Sequence, residues 1–499
     1  MISDPIRSAI ESISTADGPY KPTKPLRNFL EIPYDELEEL NLAAKTRQLE
    51  RTPDKDLQKH YLKYLESTKE IKAVTVCFTD IEGRFHTLDY DKKFLLKSHD
   101  NLTFDGSSIR GFSVVNESDL RLGIDWGSFR WLPSDIFGPG KVIVFGLILD
   151  KDGTPYASDM RGRLKILSDE LAKKKMTANI AVECEGFLFA GLNAEQEYNS
   201  RDGFVPVHSG GYFNSLPNDP LKLFIDRLAE CQRALGFENE KDHPEVAPSQ
   251  FELNYSYTEA LLAADQLQLY KLTARQVAAN MGCTASFLPK PIAGINGSGM
   301  HTNMSISKEG KNLMYDAKGE DKLSSFGWEF IDRLLNSANE ICLVLNPSVN
   351  AYRRLDPHFE APNQIKSSAV DRTSMVRIPL GNDKSARIEV RTVAPDANPY
   401  MAFYVLIKTG LEGPMTEKIS SEERRTRTRY LPGSIYDAVR HMKGSSMMGS
   451  LLGEDVKDKF IERKEAVAER SPKELGSLIK TTEILFHHEV TNQYLWSRF

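Results

Sequence analysis

The sequence predicts an α+β protein with two or three domains. Its 499 residues exceed what one simple core requires, and large catalytic domains make two domains as consistent with this length as three. The segments IKAVTVCFTD and FHTLDY, joined by a glycine-containing turn after residue 71, predict a β-hairpin. The strand-like segment KVIVFGLIL (141–149) is followed by a helical period that begins at Asp159. Further helices are predicted from Glu259 to Met281 and from about Lys322 to Leu345. Strands and helices therefore share the chain.

The composition is that of an ordinary, mildly acidic soluble protein. Hydrophobic residues make up 40% and charged residues 27%, and the net charge is −6. The absence of a dominant basic balance argues against a nucleic-acid binder. The five cysteines form no CxxC pair, and we interpret them as buried thiols in a reducing compartment. No apolar stretch approaches the ~20 residues needed to span a bilayer, so we expect a cytoplasmic protein.

Changes of composition predict where the domains begin and end. We expect an N-terminal extension over residues 1–58, because prolines, serines and charges surround one predicted helix from Tyr34 to Glu50. The strand at 141–149 closes a first domain over residues 59–157. A second domain over residues 158–499 ends in a helical segment.

Two acidic segments are candidates for metal binding. We interpret AVECEGFLF (181–189) as one strand, in which Glu183 and Glu185 share a face and require solvation or a hard metal ion. In HPEVAPSQFEL (243–253), a bulge near Pro248 would give Glu245 and Glu252 a shared face.

The segment PKPIAGINGSGMH (289–301) concentrates unusual backbone demands before a histidine. We expect Gly297 and Gly299 to adopt positive φ or to let a ligand approach, and His301 to begin a strand. A histidine there is well placed to bind a metal or a phosphate, although ordinary hairpin chemistry also explains it. The loop FDGSSIRGF (104–112) carries Asp105 and Ser108, and an Asx-turn is its simplest explanation.

Arginines are concentrated between residues 346 and 399. In RIEVR, Glu389 lies on the same face as Arg387 and Arg391, a carboxylate between two guanidinium groups. The arginines exceed the nearby carboxylates, which predicts an anionic ligand or a set of surface ion pairs. Carboxylates, a histidine and arginines together predict a phosphoryl-transfer site with two or more divalent ions.

The chain resembles type I glutamine synthetases over roughly residues 60 to 415. The resemblance rests on motifs in the order FDGSSIRGF, ECEGFLF, GGYF (210–213), HPEVAPSQFEL, PKPIAGINGSGMH, YRRLDPHFEAP and RIEVRTVAPDANPY. It implies an N-terminal β-grasp domain and a larger catalytic domain built on a curved antiparallel sheet. It also implies a homo-oligomer, a dodecamer of two stacked hexameric rings with active sites between neighbouring subunits.

The resemblance also implies roles for individual residues. The Mg²⁺ or Mn²⁺ ligands are Glu185, Glu245 and Glu252 for one ion and Glu183, His301 and Glu389 for the other. The glutamate-binding residues are Asn296, Gly297, Arg354, Glu360, Arg372 and Arg391. The ATP-binding residues are Glu240, Asn303, Ser305, Arg372, Arg377 and Lys384. The ammonium pocket comprises Asp105, Ser108, Tyr212 and Glu360, and the catalytic residues are Asp105, Glu360 and Arg372.

The implied reaction is the ATP-dependent ligation of ammonia to the γ-carboxylate of L-glutamate through γ-glutamyl phosphate. The products are L-glutamine, ADP and phosphate. A γ-glutamyl ligase for an amine or polyamine on the same fold is the alternative, although the presence of Asp105 and Glu360 favours ammonia. A non-catalytic homologue with a regulatory role would be expected to lack some of the metal ligands, and all six are present.

Overall fold

A computed structural model of the chain describes residues 31–109, 111–113, 119–197, 203–214, 216–356, 361–415 and 429–475. Within these residues the chain forms three β-sheets, of five, seven and four strands, with helices packed against them. The mixture confirms the predicted α+β class. None of the helices in these residues is long and apolar enough to cross a membrane.

The five-stranded sheet lies in the N-terminal part of the chain. Its strands are β1 (Ala73–Thr79), β2 (Phe85–Asp91), β3 (Leu102–Asp105), β4 (Asp119–Trp131) and β5 (Lys141–Leu149). Their order in the sheet is β2-β1-β5-β4-β3. Strands β1 and β5 are parallel, and the other neighbours are antiparallel. The predicted hairpin at residue 71 and the predicted strand at 141–149 are both confirmed.

Helices near the N-terminus complete the core of this sheet. The helices of this region are α1 (Tyr34–Leu49), α2 (Asp54–Ser67), α3 (Lys92–Ser98) and α4 (Ser134–Phe137). Leu57, Tyr61 and Leu65 form an apolar stripe on α2 and are buried in the same core as Trp131. Helix α2 therefore continues through residue 58, where we expected an extension to end. Both α1 and α2 pack against β4.

The rest of the chain contains the two other sheets. Its strands are β6 (Met176–Cys184), β7 (Gly186–Ala190), β8 (Asn239–Pro244), β9 (Gln250–Tyr255), β10 (Thr258–Glu259), β11 (Cys283–Ser286), β12 (Met300–Lys308), β13 (Lys311–Asn312), β14 (Gln364–Ser368), β15 (Ser374–Arg377) and β16 (Ile388–Val390). The seven-stranded sheet has the order β10-β6-β12-β16-β15-β14, with β13 paired to β12. The four-stranded sheet has the order β11-β7-β9-β8.

Helices cover these two sheets. They are α5 (Met160–Lys173), α6 (Ala194–Glu197), α7 (Pro220–Ala234), α8 (Ala260–Asn280), α9 (Ser325–Asn336), α10 (Ala338–Leu345), α11 (Val349–Arg354), α12 (Pro399–Glu412), α13 (Ile435–Lys443), α14 (Ser446–Leu452) and α15 (Glu454–Leu475). The helix predicted from Glu259 to Met281 is confirmed as α8. The helix predicted from Lys322 to Leu345 is instead two helices, because Ser337 leaves helical geometry with ψ of 6°.

The first acidic segment is not one strand. Strand β6 ends at Cys184 in the seven-stranded sheet, and β7 begins at Gly186 in the four-stranded sheet. The chain changes sheets at Glu185. Just after this change, the ring of Phe251 packs against the backbone of Gly186. Only glycine fits there, because a Cβ would lie 2.6 Å from the ring.

The second acidic segment is a hairpin rather than a bulged strand. Strand β8 ends at Pro244 and β9 begins at Gln250, and the amide of Glu245 donates to the carbonyl of Gln250 at 2.8 Å. Pro248 has no N–H to donate to a ladder, and Ser249 has a positive φ of 61°, which suits a tight turn.

A buried ion pair joins the N-terminal sheet to the rest of the chain. Arg161 of α5 is fully buried and contacts Asp125 of β4 at 2.9 Å and Asp265 of α8 at 2.7 Å. Tyr400 of α12 donates to Asp265 at 2.7 Å. An unpaired buried charge is costly, so these contacts hold the five-stranded sheet against α5, α8 and α12.

Candidate functional site

A first group of candidate metal ligands comprises Glu183, His301 and Glu389, which come from three adjacent strands. In the ladder of β6 and β12, Glu183 lies directly opposite His301, and Glu389 of β16 lies opposite Asn303. The His301 Nδ1 atom is 3.6 Å from Glu183 Oε2 and 3.8 Å from Glu389 Oε1. One ligand atom from each residue lies within 4.8 Å of the others. The three residues predicted to share one ion are therefore together.

Positive and polar side chains surround these carboxylates. Glu389 is fully buried and contacts Arg377 at 2.8 Å and Arg391 at 2.5 Å. Burial would raise the pKa of Glu183, but the contacts with His301 and Asn303 outweigh it and lower the pKa to about 2. The predicted contact of Glu389 with Arg391 is present, but Arg387 does not supply the second guanidinium group. Arg377 of the neighbouring strand takes its place, and Arg387 donates to Asn303 at 2.8 Å.

A second group comprises His243, Glu245 and Glu252, all from the β8–β9 hairpin. His243 pairs with Glu252 across the hairpin. Its Nδ1 atom is 3.5 Å from Glu245 Oε1, and its Nε2 atom is 3.8 Å from Glu252 Oε1. One ligand atom from each residue again lies within 4.8 Å of the others. His243 was not among the predicted ligands, although its position two residues before Glu245 was a signal for it.

Glu185 lies beside the second group rather than in it. Its Oε2 atom accepts hydrogen bonds from the amide of Gly299 at 2.7 Å and from Gln250 Nε2 at 3.2 Å. Burial, and then the charge of Glu245, raise the pKa of Glu185 to about 8. Burial and the charge of Glu185 also raise the pKa of Glu252 well above its usual range.

The chemistry of both groups fits divalent metal ions. Carboxylate oxygens suit Mg²⁺ and Mn²⁺, and an imidazole nitrogen is accepted by Mn²⁺ and other transition metals. Glu185, Glu245 and Glu252 repel one another in a buried setting, and a cation would relieve that repulsion. The described residues can therefore hold an ion at each group.

Two glycines of the segment 289–301, Gly297 and Gly299, are required by close packing. Neither has a positive φ, so the expectation of positive φ is wrong. A Cβ on Gly299 would lie 2.6 Å from His301 Nε2 and 2.7 Å from Arg354 Nη2. A Cβ on Gly297 would lie 2.3 Å from the carbonyl oxygen of Pro289. This segment must pass directly behind His301 and Arg354.

Arg354 and Arg391 line the first group and are largely buried. Arg354 donates to the carbonyl of Arg391 at 2.7 Å, which holds the strand that carries Glu389. Burial lowers the pKa of Arg354 to about 10. Arg391 donates to the carbonyl of Arg372 at 3.3 Å, while the side chain of Arg372 is exposed.

The residues expected to bind ATP are divided between the two sheets and the loops beside them, with Glu240 on β8 and Asn303 and Ser305 on β12. Asn303 donates to Glu183 at 3.1 Å, and Ser305 follows it on β12, where it accepts from Asn179 at 3.4 Å. Glu240 and Lys384 are exposed. Asn296, which is expected to bind glutamate rather than ATP, is half-buried.

The residues expected to form the ammonium pocket lie partly beside the five-stranded sheet and partly beside the four-stranded sheet. Tyr212 lies against His243, with ring centroids 5.4 Å apart. Asp105 and Ser108 lie in the N-terminal sheet region, where Asp105 accepts from Ser108 Oγ at 2.5 Å and from Ser107 Oγ at 2.6 Å. These hydrogen bonds lower the pKa of Asp105. Glu360 lies outside the described residues.

Comparison with known proteins identifies the family. Residues 157–476 match the family described as "Glutamine synthetase, catalytic domain", and residues 70–150 match "Glutamine synthetase, beta-Grasp domain". The chain belongs to the glutamine synthetase family. It is 36% identical to the glutamine synthetase of Methanosarcina mazei over 417 residues, which cover 80% of this chain and 92% of that protein. It is 35% identical to the Thermus thermophilus enzyme, with the same coverage of both chains.

Solved structures of this family share the fold. A structure described as a GmaS/ADP complex superposes with a TM-score of 0.73 at 26% identity, covering 85% of this chain and 99% of that one. The cryoEM structure of Plasmodium falciparum glutamine synthetase superposes with the same TM-score at 19% identity, covering 85% of this chain and 98% of that one. The five-stranded sheet is thus the β-grasp domain of the family, and the other two sheets belong to its catalytic domain.

Proposed function

We propose that this protein is a glutamine synthetase, which ligates ammonia to the γ-carboxylate of L-glutamate with ATP as the phosphoryl donor. The observation that carries the proposal is the presence of two candidate metal groups, the first of which has Arg377 and Arg391 in contact with Glu389. Two divalent ions and guanidinium groups are what a transferring phosphoryl group requires, since the reaction is accelerated mainly by positioning and charge neutralisation. The curated relatives named glutamine synthetase support the choice of substrate.

The proposed roles follow the two halves of the reaction. Bound divalent ions, held by the two groups, would neutralise the phosphates of ATP and polarise the phosphoryl oxygens. Arg377 and Arg391 contact Glu389 and would orient it toward an ion, and Arg372 is exposed where it can reach a ligand. In the first step the γ-carboxylate attacks the γ-phosphorus, ADP leaves, and γ-glutamyl phosphate forms. In the second step ammonia attacks the acyl carbon, and phosphate leaves.

The ammonium pocket is proposed to form between neighbouring subunits of a ring. Asp105 is ionised at neutral pH, because hydrogen bonds from its own turn lower its pKa. A carboxylate of this kind can attract ammonium and accept one proton, which leaves ammonia free to attack. Asp105 and Ser108 lie on the β-grasp domain, whereas Tyr212 lies on the catalytic domain, which fits a pocket completed by a second copy of the chain.

The test is phosphate release by the purified protein with ATP, Mg²⁺ and glutamate. Ammonium is compared at equal concentration with methylamine, ethylamine and a polyamine, and the products are identified by mass. We expect ammonium to stimulate phosphate release most strongly, with glutamine as the product. Stimulation only by a larger amine would assign the protein to γ-glutamyl ligases, and silence with every acceptor would contradict a ligase function.

A further inference from the structure

A loop before α7 carries Tyr212 over the second acidic group. The Tyr212 ring meets the His243 ring edge-on at 80°, and the Phe213 ring lies 4.8 Å from His243. Burial and the nearby carboxylates of Glu245 and Glu252 raise the pKa of Tyr212, so its hydroxyl lies within their field. The position of this loop therefore determines how much space remains above the group.

The loop is held on both sides of a glycine pair. Gly210 and Gly211 have φ of 96° and 122°, a region that glycine enters and leaves at little cost. After this pair, the amide of Phe213 donates to the carbonyl of Pro244 at 3.2 Å, and the amide of Asn214 donates to the carbonyl of Gly211 at 3.0 Å. The residues before the pair are anchored from outside. Ser249 Oγ accepts hydrogen bonds from the amides of Val207 at 2.6 Å and His208 at 2.9 Å.

His208 and Asp219 extend this anchor to the end of a helix. The side chains of both residues are 1% exposed, and His208 Nε2 is 3.4 Å from Asp219 Oδ2. His208 Nδ1 accepts a hydrogen bond from the amide of Gly210 at 2.9 Å, so the ring proton is on Nε2, which faces Asp219. The other oxygen of Asp219 accepts from the amide of Leu221 at 2.9 Å and caps α7.

We propose that His208 and Asp219 are positioning residues that set Tyr212 above the second acidic group and so limit the size of the acceptor amine. Within the described residues, this link joins the start of α7 to the glycine pair beside Tyr212. When the link is broken, Gly210 and Gly211 are free to move, and Tyr212 shifts away from His243. The inference deepens the proposed function and rests on it for the identity of the acceptor.

Three variants separate the contacts of the link. His208→Phe keeps a buried ring but removes both nitrogen atoms. His208→Asn keeps an acceptor near the place of Nδ1, so it should retain the hydrogen bond from Gly210. Asp219→Asn keeps the helix cap but presents an N–H to His208, which drives the ring proton to Nδ1 and removes the acceptor for Gly210. Ser324→Ala is the matched control, because Ser324 caps α9 through the amide of Gly327 at 3.1 Å.

The first measurement is steady-state kinetics with ammonium and with methylamine. Loss of one buried hydrogen bond should raise the KM for ammonium about fivefold in His208→Phe and Asp219→Asn. The methylamine to ammonium ratio of kcat/KM should rise by a similar factor, while the KM for ATP stays within about twofold. His208→Asn and Ser324→Ala should resemble the wild type. A merely structural role would lower kcat without moving the amine ratio.

The second measurement needs no activity. Hydrogen exchange followed by mass spectrometry in the metal-free protein should show faster exchange across residues 205–214 in His208→Phe and Asp219→Asn, but not in the two other variants. Unchanged exchange would overturn the positioning role. Faster exchange with an unchanged amine ratio would overturn the role in specificity. A wild type that is silent with every amine would refute the proposed function, and the exchange data would still decide the positioning role.

Discussion

Replacing Gly299 by alanine should damage the first metal group without unfolding the protein. A Cβ at this position would lie 2.6 Å from His301 Nε2, so the imidazole must move about 0.8 Å to reach the 3.4 Å of an ordinary contact. Arg354 Nη2 would lie 2.7 Å from the same Cβ, which blocks relaxation in that direction. A displacement of about 1 Å at a reacting centre costs on the order of 100-fold in rate. We therefore expect kcat to fall by about that factor.

The assay combines metal binding with turnover. Calorimetric titration with Mn²⁺ should show affinity that is weaker by about tenfold or more, because His301 no longer faces Glu183 and Glu389. Circular dichroism should show unchanged secondary structure. Gly433→Ala is the control, since nothing lies within 4 Å of a Cβ there and its φ is not positive. Wild-type Mn²⁺ affinity and wild-type turnover in Gly299→Ala would refute the placement of His301 in the site.

Three further predictions follow from the charges of the site. Because burial and Glu245 raise the pKa of Glu185 to about 8, the metal-free protein should lose stability as pH rises from 4.5 to 8, and metal binding at pH 7 should release about one proton. Calorimetry in two buffers should show this release, and the Glu185→Gln variant should release less. Glu389→Gln leaves two arginines without their counter-charge and should lower the free energy of unfolding by about 3 kcal/mol in urea titrations, whereas the exposed Glu240→Gln should change it little. Asp105→Asn keeps the turn but removes the proposed base, so ammonium-dependent turnover should fall by about 100-fold while ATP binding, measured by calorimetry, is retained; unchanged turnover would remove Asp105 from this role.

Local patterns in the sequence were sufficient to predict individual strands and helices. The hairpin at residue 71, the strand at 141–149 and helix α8 have periods and turns that depend on neighbouring residues alone. Glu183, His301 and Glu389 were also assigned together, but through the resemblance to a family. Their meeting depends on the pairing of β6, β12 and β16, which no local pattern contains.

The errors share a physical origin in contacts between distant residues. The segment 181–189 has the alternation of one strand, but the chain changes sheets at Glu185, where Gly186 packs against the ring of the distant residue Phe251. Arg377 replaced Arg387 as a partner of Glu389 because β15 pairs with β16. The spacing of His243 and Glu245 was a weak local signal, and the pairing of His243 with Glu252 across the hairpin is what makes His243 a candidate ligand.

The change of sheets at Glu185 has a consequence for the distance between the two metal groups. The first group lies on the seven-stranded sheet and the second on the four-stranded sheet, so the separation of two ions would equal a separation between sheets. Glu185 and Gly299 exchange two hydrogen bonds at this crossing, the amide of Glu185 to the carbonyl of Gly299 at 3.0 Å and the amide of Gly299 to the carboxylate at 2.7 Å. Bending of one sheet against the other would thus alter the spacing of the two candidate metal groups. The two hydrogen bonds between Glu185 and Gly299 therefore help to set the distance between them.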